Sequence, residues 1–507
     1  MLCHLFAFYN FTAGVIISTE AAAFFNGLPT HLCSLPQRRT KGTITAVSYL
    51  YIKNCTMKKH NLLAVPASLL LFLFAACSSD DSTTTDTTDI ISQVTAADNI
   101  DEAGDYTYDT ASTNVIAYSG TSVSATGSGV TVSGTTATIT EGGTYTVTGT
   151  TNSGNLVVNA DADAKVFLLF NGTSITSTTG APLYIKNAYK AIVYLVPGSI
   201  NTLADAMTNE YESTVYSLTR LTVFGTGSLT VKGNTDAGIA SDGGIIIKDG
   251  TFAITSAGSA IKSDKNLVID GGTYTIAAGN DGLHSDTQLT INDGEINITE
   301  SEEGIEGALV TMNGGTVHLV STDDGLNAAG DDDTVDKYFY MNGGYLFINA
   351  SGDGIDSNGS VVMMGGTVIV NGPTANDNAS IDYDNSFTVS GGYLLAAGSS
   401  GMAQAPGASS AQKSVKLTFG STLAANSIVH IQTSSGQDVL TFKPAKTYQS
   451  VVLSSDALTT GETYTVYTGG SASGSVTDGL YADGSYTAGT LKGSFTVNST
   501  VTNFSAN

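Results

Sequence analysis

An apolar residue recurs along the middle of the chain at a nearly fixed interval, and this repeat constrains the fold more than any other feature. The intervals are 22, 22, 22 and 21 residues between Ile239, Ile261, Leu283, Ile305 and Leu326. A glycine keeps the same step, with intervals of 22, 22 and 21 residues between Gly250, Gly272, Gly294 and Gly315. Two markers that share one period indicate one structural unit per repeat.

The residues between these markers are typical of short strands and turns. Runs rich in Val, Ile, Thr and Tyr, such as 267–269 and 273–276, favour strands. Turns such as 270–272 separate them and contain glycines that tolerate positive φ. The sequence shows neither a capped helical stripe nor the Leu and Asn ladder of a leucine-rich repeat. We therefore predict an all-β protein, a right-handed parallel β-helix over residues 113–400, with on the order of 12 coils stacked about 4.8 Å apart.

The period is interrupted twice and then lost. The step is longer between Leu326 and Ile355, around an acidic stretch at 331–333, and a second insertion lies between Gly366 and Ile381. Insertions of this kind are expected at turns, where they commonly build sites. Residues 413–507 follow a small-residue linker, and we predict that they form a β-sandwich-like module that covers the open end of the last coil.

The N-terminal part of the chain has the layout of an export signal. A basic start at Met57 leads into the apolar run 62–76, which ends in small residues directly before Cys77. This layout resembles a lipobox and predicts a lipoprotein signal peptide over 57–76 with lipidation of Cys77; a short transmembrane anchor is the alternative. We expect residues 1–56 to come from a misassigned upstream start. Residues 77–112, acidic and rich in Ser and Thr, are predicted to be a flexible tether.

Charge and cysteine content limit the compartment and the partners. None of the four cysteines lies after Cys77. The chain from Cys77 onward carries 14 basic and 44 acidic residues, a net charge of −30. Because nucleic-acid binding needs a basic face, we exclude that class of partner. We predict an exported monomer at the outer membrane or cell surface, with its lipid anchor as the one membrane contact.

Acidic residues occupy equivalent positions in successive repeats. The residue after each apolar marker gives the series Ala240, Lys262, His284, Glu306, Asn327, Asp356 and Asp382. A second series contains Asp236, Asp281, Glu303, Asp324 and Asp353. Stacking would bring these side chains to about 4.8 Å, and calcium bound by oxygens at about 2.3–2.6 Å can bridge such a gap. A solvated acidic edge without a cation is the alternative. The predicted calcium ligands are Asp281, Asp286, Glu303, Glu306, Asp323, Asp324, Asp331, Asp332, Asp353 and Asp356.

Three consecutive signatures, at 280–286, 302–307 and 323–329, carry a resemblance to a known family. They resemble the coils of bacterial carbohydrate-binding β-helix proteins that bind cellulose and polygalacturonate with calcium. Residues 440–444 and 461–466 are similar to the C-terminal module of that family, although Leu283 and Leu326 stand where isoleucine is usual. The fold also resembles calcium-dependent pectate lyases, in which a Lys or Arg abstracts a proton.

The resemblance implies a surface protein that binds polysaccharide, acidic or plant-type, with calcium in the β-helix turns. The chain has no Trp, so tyrosine would supply any aromatic contact with sugar. Two alternatives stay open: a calcium-dependent polysaccharide lyase with Lys262 as its base, and a structural or adhesive rod. The candidate carbohydrate-binding residues are Lys262, His284, Tyr345, Tyr383 and Tyr393.

Overall fold

The computed structural model describes residues 99–330 and 335–507. The expected upstream segment, the signal peptide, Cys77, and the candidate ligands Asp331 and Asp332 lie outside the described residues. The described residues form β-strands and no helix, so they contain no helix that is long and apolar enough to cross a membrane.

The strands before residue 400 wind into a parallel β-solenoid of about ten turns, which confirms the predicted all-β, parallel β-helix fold. These strands are β1 (Val115–Gly120), β2 (Ser122–Thr126), β3 (Val130–Ser133), β4 (Thr136–Ile139), β5 (Gly143–Thr151), β6 (Asn155–Asn159), β7 (Lys165–Thr176), β8 (Leu183–Asn187), β9 (Lys190–Leu195), β10 (Ile200–Ala204), β11 (Ser213–Ser217), β12 (Arg220–Phe224), β13 (Ser228–Gly233), β14 (Ala237–Ser241), β15 (Ile245–Ile247), β16 (Thr251–Ser256), β17 (Ile261–Ser263), β18 (Leu267–Ile269), β19 (Thr273–Ala278), β20 (Leu283–Ile291), β21 (Glu295–Glu300), β22 (Ile305–Met312), β23 (Thr316–Val320), β24 (Leu326–Ala328), β25 (Tyr338–Met341), β26 (Tyr345–Asn349), β27 (Ile355–Ser357), β28 (Ser360–Met363), β29 (Thr367–Asn371), β30 (Ser386–Val389) and β31 (Tyr393–Gly398).

Parallel pairing joins the strands of successive coils into three stacks. The first stack contains β4, β6, β8, β11, β14, β17, the starts of β20 and β22, β24 and β27. The second contains β1, β5, β7, β9, β12, β15, β18, the ends of β20 and β22, β25, β28 and β30. The third contains the end of β7, then β10, β13, β16, β19, β21, β23, β26, β29 and β31.

The apolar markers of the repeat form the interior of the first stack. Ile261, Leu283 and Ile305 pair with one another in register, and each exposes at most 1% of its surface. Burial of each such side chain contributes roughly 1.5–3 kcal/mol. The marker glycines lie at a corner where the backbone needs positive φ, as at Gly272 (φ 100°) and Gly294 (φ 117°). The period therefore arises because the same inward position and the same corner recur once per coil.

The N-terminal coils are less regular than the repeat in the middle of the chain. Hairpins β1–β2 and β3–β4 are antiparallel, and the first-stack partners Leu183 and Val215 are separated in sequence by more than one regular period. These longer coils explain why about ten turns are present where the regular period predicted about 12.

Residues 99–112 differ from the flexible tether that their composition predicted, because they pack along the second stack. Asp105 forms ion pairs with Lys190 at 2.7 Å and Lys165 at 2.6 Å, and the side chains of Asp105 and Lys190 are fully buried. The backbone N–H of Asn99 donates a hydrogen bond to Asn266 Oδ1, and the backbone carbonyl of Asn99 accepts one from Asn266 Nδ2. The sequence did not reveal this contact, because the partners of Asp105 are 60 and 85 residues away.

The C-terminal part continues the solenoid with antiparallel strands. Strand β31 pairs with β35, which pairs with β32, and residues 414–506 share a second core with Ile369 and Leu395 of the last coils. This arrangement caps the edge of the solenoid. The C-terminal strands are β32 (Ser414–Leu423), β33 (Val429–Thr433), β34 (Asp438–Phe442), β35 (Tyr448–Ser454), β36 (Thr463–Thr468), β37 (Ser471–Ala472), β38 (Ser475–Thr477), β39 (Leu480–Ala482), β40 (Tyr486–Thr487), β41 (Thr490–Thr496) and β42 (Val501–Ala506).

Candidate functional site

The outward middle residue of each first-stack strand belongs to one column. Backbone pairing aligns Lys262 with His284, His284 with Glu306, Glu306 with Asn327, and Asn327 with Asp356. We call this series the outer column. Its side chains are neighbours because parallel strands keep equivalent residues about 4.8 Å apart.

A second series lies at the corner that precedes each of these strands, and we call it the corner column. The amide of Gly282 donates to the carbonyl of Glu303 at 2.9 Å. Gly304 donates to Asp324 at 3.0 Å, and Gly325 donates to Asp353 at 2.8 Å. The same backbone contact thus stacks Asp281, Glu303, Asp324 and Asp353 directly beside the outer column.

His284 occupies the centre of the first acidic cluster. Its Nδ1 lies 3.0 Å from Asp281 Oδ2 and 2.7 Å from Glu306 Oε2, and its Nε2 lies 2.8 Å from Asp286 Oδ1. Burial opposes the charge on His284, but hydrogen bonds to the three carboxylates outweigh it and raise its pKa to about 11. The imidazolium therefore offsets part of the negative charge of this cluster. Both ring nitrogens already contact carboxylates, so His284 has no free nitrogen for the predicted contact with carbohydrate.

The second acidic cluster consists of Asp324, Asp353 and Asp356, which contribute carboxylate oxygens that all lie within 4.8 Å of one another. Burial and then repulsion from nearby carboxylates raise the pKa of Asp324 to about 7, and those of Asp353 and Asp356 to about 6. The repelling carboxylates include cluster members for Asp324 and Asp356, whereas for Asp353 they are chiefly Asp382 and Asp323. Backbone amides of Asp353 and Ala379 also donate to this cluster. Among residues 99–330 and 335–507, no Lys, Arg or His forms an ion pair with any of the three carboxylates.

Glu303 and Asn327 lie between the two clusters. The Nδ2 group of Asn327 donates to both carboxylate oxygens of Glu303, at 3.2 and 3.3 Å. Burial, followed by repulsion from Glu306, raises the pKa of Glu303 to about 8. Asn327 is only 9% exposed, and its Oδ1 has no hydrogen-bond partner among the described residues. A buried amide oxygen without a donor is unusual, and it is a ligand type that calcium accepts.

Together, the second cluster and Asn327 offer carboxylate and amide oxygens from successive coils. Hard cations such as Ca²⁺ prefer this donor set, and His284 in the first cluster shows that a positive charge fits between the stacked acids. The residues therefore fit a calcium site. Asp323, a further candidate ligand, is exposed and adds to the repulsion that Asp324 and Asp353 experience.

The three tyrosines that the sequence singled out contact other parts of the protein. The hydroxyl of Tyr345 donates to Asp478 at 2.6 Å, and that of Tyr383 donates to the carbonyl of Ala405 at 2.9 Å. Tyr393 packs against the core shared with the C-terminal strands, and burial raises its pKa. Lys262 is exposed on the outer column.

Sequence reasoning missed a group of tyrosines that continues the outer column. Tyr184 pairs with Tyr216, and Tyr216 pairs with Ala240, which precedes Lys262 in the same register. Tyr211 stacks on Tyr184 with a centroid distance of 4.3 Å. The coil between Tyr184 and Tyr216 is longer than the regular repeat, so the period does not align them. A search for aromatic residues after apolar strand positions would have found them.

Comparison with known proteins gives the family. The model of the carbohydrate-binding domain-containing protein family matches residues 133–288 and 280–501, which is more than half of the chain. The chain therefore belongs to the carbohydrate-binding domain-containing protein family.

Similarity to parts of the chain is also found in a curated relative and in a solved structure. A carbohydrate-binding domain-containing protein from Acetivibrio thermocellus is 35% identical over 124 residues, a match that covers 23% of this chain and 43% of the relative. The match thus spans less than half the length of that relative. The structure of the polysaccharide lyase-like protein from C. thermocellum, a gadolinium derivative, is 24% identical with a TM-score of 0.38. That match covers 55% of this chain and 98% of the other.

Proposed function

We propose that the protein binds acidic polysaccharide through calcium held by Asp324, Asp353 and Asp356. The single observation that carries this proposal is the group of three half-buried carboxylates within 4.8 Å of one another, without a basic ion-pair partner among the described residues. Membership of a carbohydrate-binding family supports the polysaccharide as ligand. The resemblance of the coil signatures to polygalacturonate-binding proteins supports a uronate.

Calcium would resolve two electrostatic problems. Asp324, Asp353 and Asp356 lose much of their mutual repulsion when a divalent cation lies between them. The chain from Cys77 onward carries a net charge of −30, so it repels a polyanion unless cations intervene. Bound calcium supplies the positive charge that the carboxylate of a uronate needs. Asn327 Oδ1, which lacks a donor, is positioned one coil before Asp356 and is our candidate for a neutral ligand.

Lys262 is less well placed to serve as the base of a lyase. It lies three coils from the strand that follows Asp324, a distance of about 14 Å along the stack. A base that abstracts a proton next to a calcium-bound carboxylate needs to approach within hydrogen-bonding distance. We therefore favour binding over elimination. A purely structural rod would not need the buried, mutually repelling carboxylates of the second cluster.

We also propose that the protein is exported and tethered to the outer membrane or cell surface through Cys77. The apolar run directly before Cys77 and the cysteine-free chain after it support this placement. A surface location would give the binding site access to external polysaccharide.

Affinity electrophoresis in gels containing polygalacturonate, with calcium or with a chelator, tests the calcium-bridge proposal. We expect retardation of the wild type only with calcium, and its loss in the double variant Asp324→Asn, Asp356→Asn. Asp249→Asn combined with Asp293→Asn is the matched control, since it also removes two negative charges. Both of these aspartates are exposed and lie at a different corner of the coils. Retardation of the wild type in chelator, or of the Asp324 and Asp356 double variant in calcium, would show that the mechanism is wrong.

A further inference from the structure

The outer column changes character along its length. Its acidic members lie in the later coils, whereas the earlier coils place Tyr184 and Tyr216 at the same outward position. The two rings are stacked at 5.8 Å with an interplanar angle of 5°, and Tyr211 stacks on Tyr184 at 4.3 Å and 25°. All three rings are half-buried. They form an aromatic group, which we call the tyrosine stack.

The tyrosine stack ends at a small residue. Ala240 follows Tyr216 in register, and Lys262 follows Ala240. The methyl group of Ala240 is too short to cover the ring of Tyr216, so the column has a gap between Tyr216 and Lys262. Two coil steps separate these residues, which is about 10 Å. A saturated ring approaches an aromatic face at about 3.5–4.0 Å between carbons, so the gap admits one sugar ring.

The polar groups around this gap are suited to hydroxyl groups. Asp242 accepts a hydrogen bond from the hydroxyl of Tyr216 at 3.3 Å. Partial burial and then the charges of Asp286 and Asp242 raise the pKa of Asp264, while nearby lysines oppose this shift. Carboxylates accept hydrogen bonds from sugar hydroxyls, and the ammonium group of Lys262 donates them. Because acids surround the gap as well as lysines, a neutral sugar is favoured over a uronate.

We propose that Tyr216, Ala240 and Lys262 form a metal-independent subsite for one neutral hexopyranose unit of a polysaccharide. The sugar ring stacks on Tyr216, with Ala240 as the floor and Asp242 and Lys262 contacting its hydroxyls. The subsite rests on the polysaccharide-binding function proposed above, but it does not use the calcium cluster. It lies on the same outward column, so one extended polysaccharide can contact both regions.

Isothermal titration calorimetry with neutral hexasaccharides of glucose, mannose or galactose, in the presence of a chelator, tests this subsite. We expect at least one of these sugars to bind the wild type, and Tyr216→Ala to weaken binding about tenfold, equivalent to about 1.4 kcal/mol. Tyr216→Phe keeps the ring and should bind within about threefold of the wild type, since it loses only the contact of the hydroxyl.

A second variant fills the gap without removing an aromatic ring. Ala240→Tyr continues the ladder of Tyr184 and Tyr216, so the coil should stay folded while the space for the sugar is lost. We expect Ala240→Tyr to abolish neutral-sugar binding and to leave calcium-dependent retardation by polygalacturonate intact. If no neutral hexasaccharide binds the wild type, or if Tyr216→Ala and Ala240→Tyr both bind normally, the tyrosine stack is structural and the inference is overturned. If the wild type binds a neutral hexasaccharide but is not retarded by polygalacturonate in calcium, the calcium proposal is overturned and the subsite is kept.

Discussion

His284 Nδ1 lies 2.7 Å from Glu306 Oε2 in the next coil, so a side-chain cation bridges two turns of the solenoid. In the coil after Glu306, the outer column has the neutral Asn327 and no cationic residue. The acids of the adjacent second cluster have no basic ion-pair partner among the described residues. The same stacking of acids is thus compensated in two different ways. His284 places one positive charge among the three carboxylates of the first cluster, whereas the second cluster depends on protonation or on a bound cation.

Replacement of His284 by Gln should therefore destabilise the protein. Asp281, Asp286 and Glu306 would lose a charged partner in a site where the imidazole is only 16% exposed. We expect the free energy of unfolding to fall by about 2 kcal/mol, measured by urea denaturation at pH 7. His318→Gln is the control, because the side chain of His318 is 39% exposed and its contact with Asp478 should contribute less than about 1 kcal/mol. Equal effects of the two substitutions would contradict the proposed role of His284.

The stabilisation that His284 provides should depend on pH. Its pKa is raised from 6.5 to about 11 in the folded state, so the folded protein binds this proton more tightly than the unfolded chain. The contribution is fully present below about pH 6.5 and is lost as the pH rises toward about 11. We expect the stability difference between wild type and His284→Gln to be smaller at pH 9.5 than at pH 6. A difference that stays constant over this range would contradict the raised pKa.

The second cluster predicts a pH effect that calcium removes. The pKa values of Asp324 and Asp356 are raised from 3.8 to about 7 and about 6, so their protonated forms stabilise the folded state. In calcium-free protein this contribution is lost as the pH rises from about 4 to about 7. We expect a lower melting temperature at pH 8 than at pH 5 in chelator. At 100-fold excess over its Kd, calcium should restore about 2.7 kcal/mol at pH 8.

The double variant Asp324→Asn, Asp356→Asn provides the control for this pH effect. Asparagine cannot ionise, so the variant should lose the part of the pH dependence that Asp324 and Asp356 cause, together with the response to calcium. The part that His284 causes should remain. Thermal melts of metal-stripped wild type that are identical with and without calcium at pH 8 would show that the cluster does not bind this ion.

The regular coils could be predicted from the sequence because one inward position and one corner recur in each repeat. Ile261, Leu283 and Ile305 therefore revealed both the fold and the stacking of the acids. The period could not show where side-chain contacts cross the coils. Only the structure places Asp478 against Tyr345, and only the structure aligns Tyr184 with Tyr216 across an irregular coil. The identities of the acids indicated a cation site, but the contacts of His284 with three carboxylates depend on the direction of its ring.

Export and lipidation are tested at Cys77, which lies outside the described residues. We expect mass spectrometry of the native protein to find a mature N-terminus at Cys77 that carries lipid. Cys77→Ser should move the protein from the membrane fraction to the soluble fraction. Cys55→Ser is the matched control, because Cys55 precedes the expected start at Met57 and its loss should change nothing. An unmodified Cys77 would show that the signal was misread.

Breaking the buried ion pair of Asp105 and Lys190 should strongly destabilise the protein. Lys190 Nζ lies 2.7 Å from Asp105 Oδ2 and 2.6 Å from the carbonyl oxygen of Ile100, and its side chain is fully buried. Asp105→Ala leaves this ammonium group without a carboxylate in a site that excludes water, so we expect a loss of about 3–5 kcal/mol in the free energy of unfolding. Proteolysis between residues 99 and 112 should also become faster, because the segment is held on the solenoid by this contact.

Two further variants separate the loss of the pair from the loss of the segment. Asp101→Asn breaks an exposed contact with Lys248 and should cost less than about 1 kcal/mol. Combining Asp105→Leu with Lys190→Met removes both buried charges and leaves Glu102 as the partner of Lys165 at 2.7 Å. Apolar replacement of a buried ion pair is often neutral, so this double variant should recover most of the stability that Asp105→Ala loses. If the double variant is as unstable as Asp105→Ala, the cost arises from altered packing of the segment and not from the unpaired lysine.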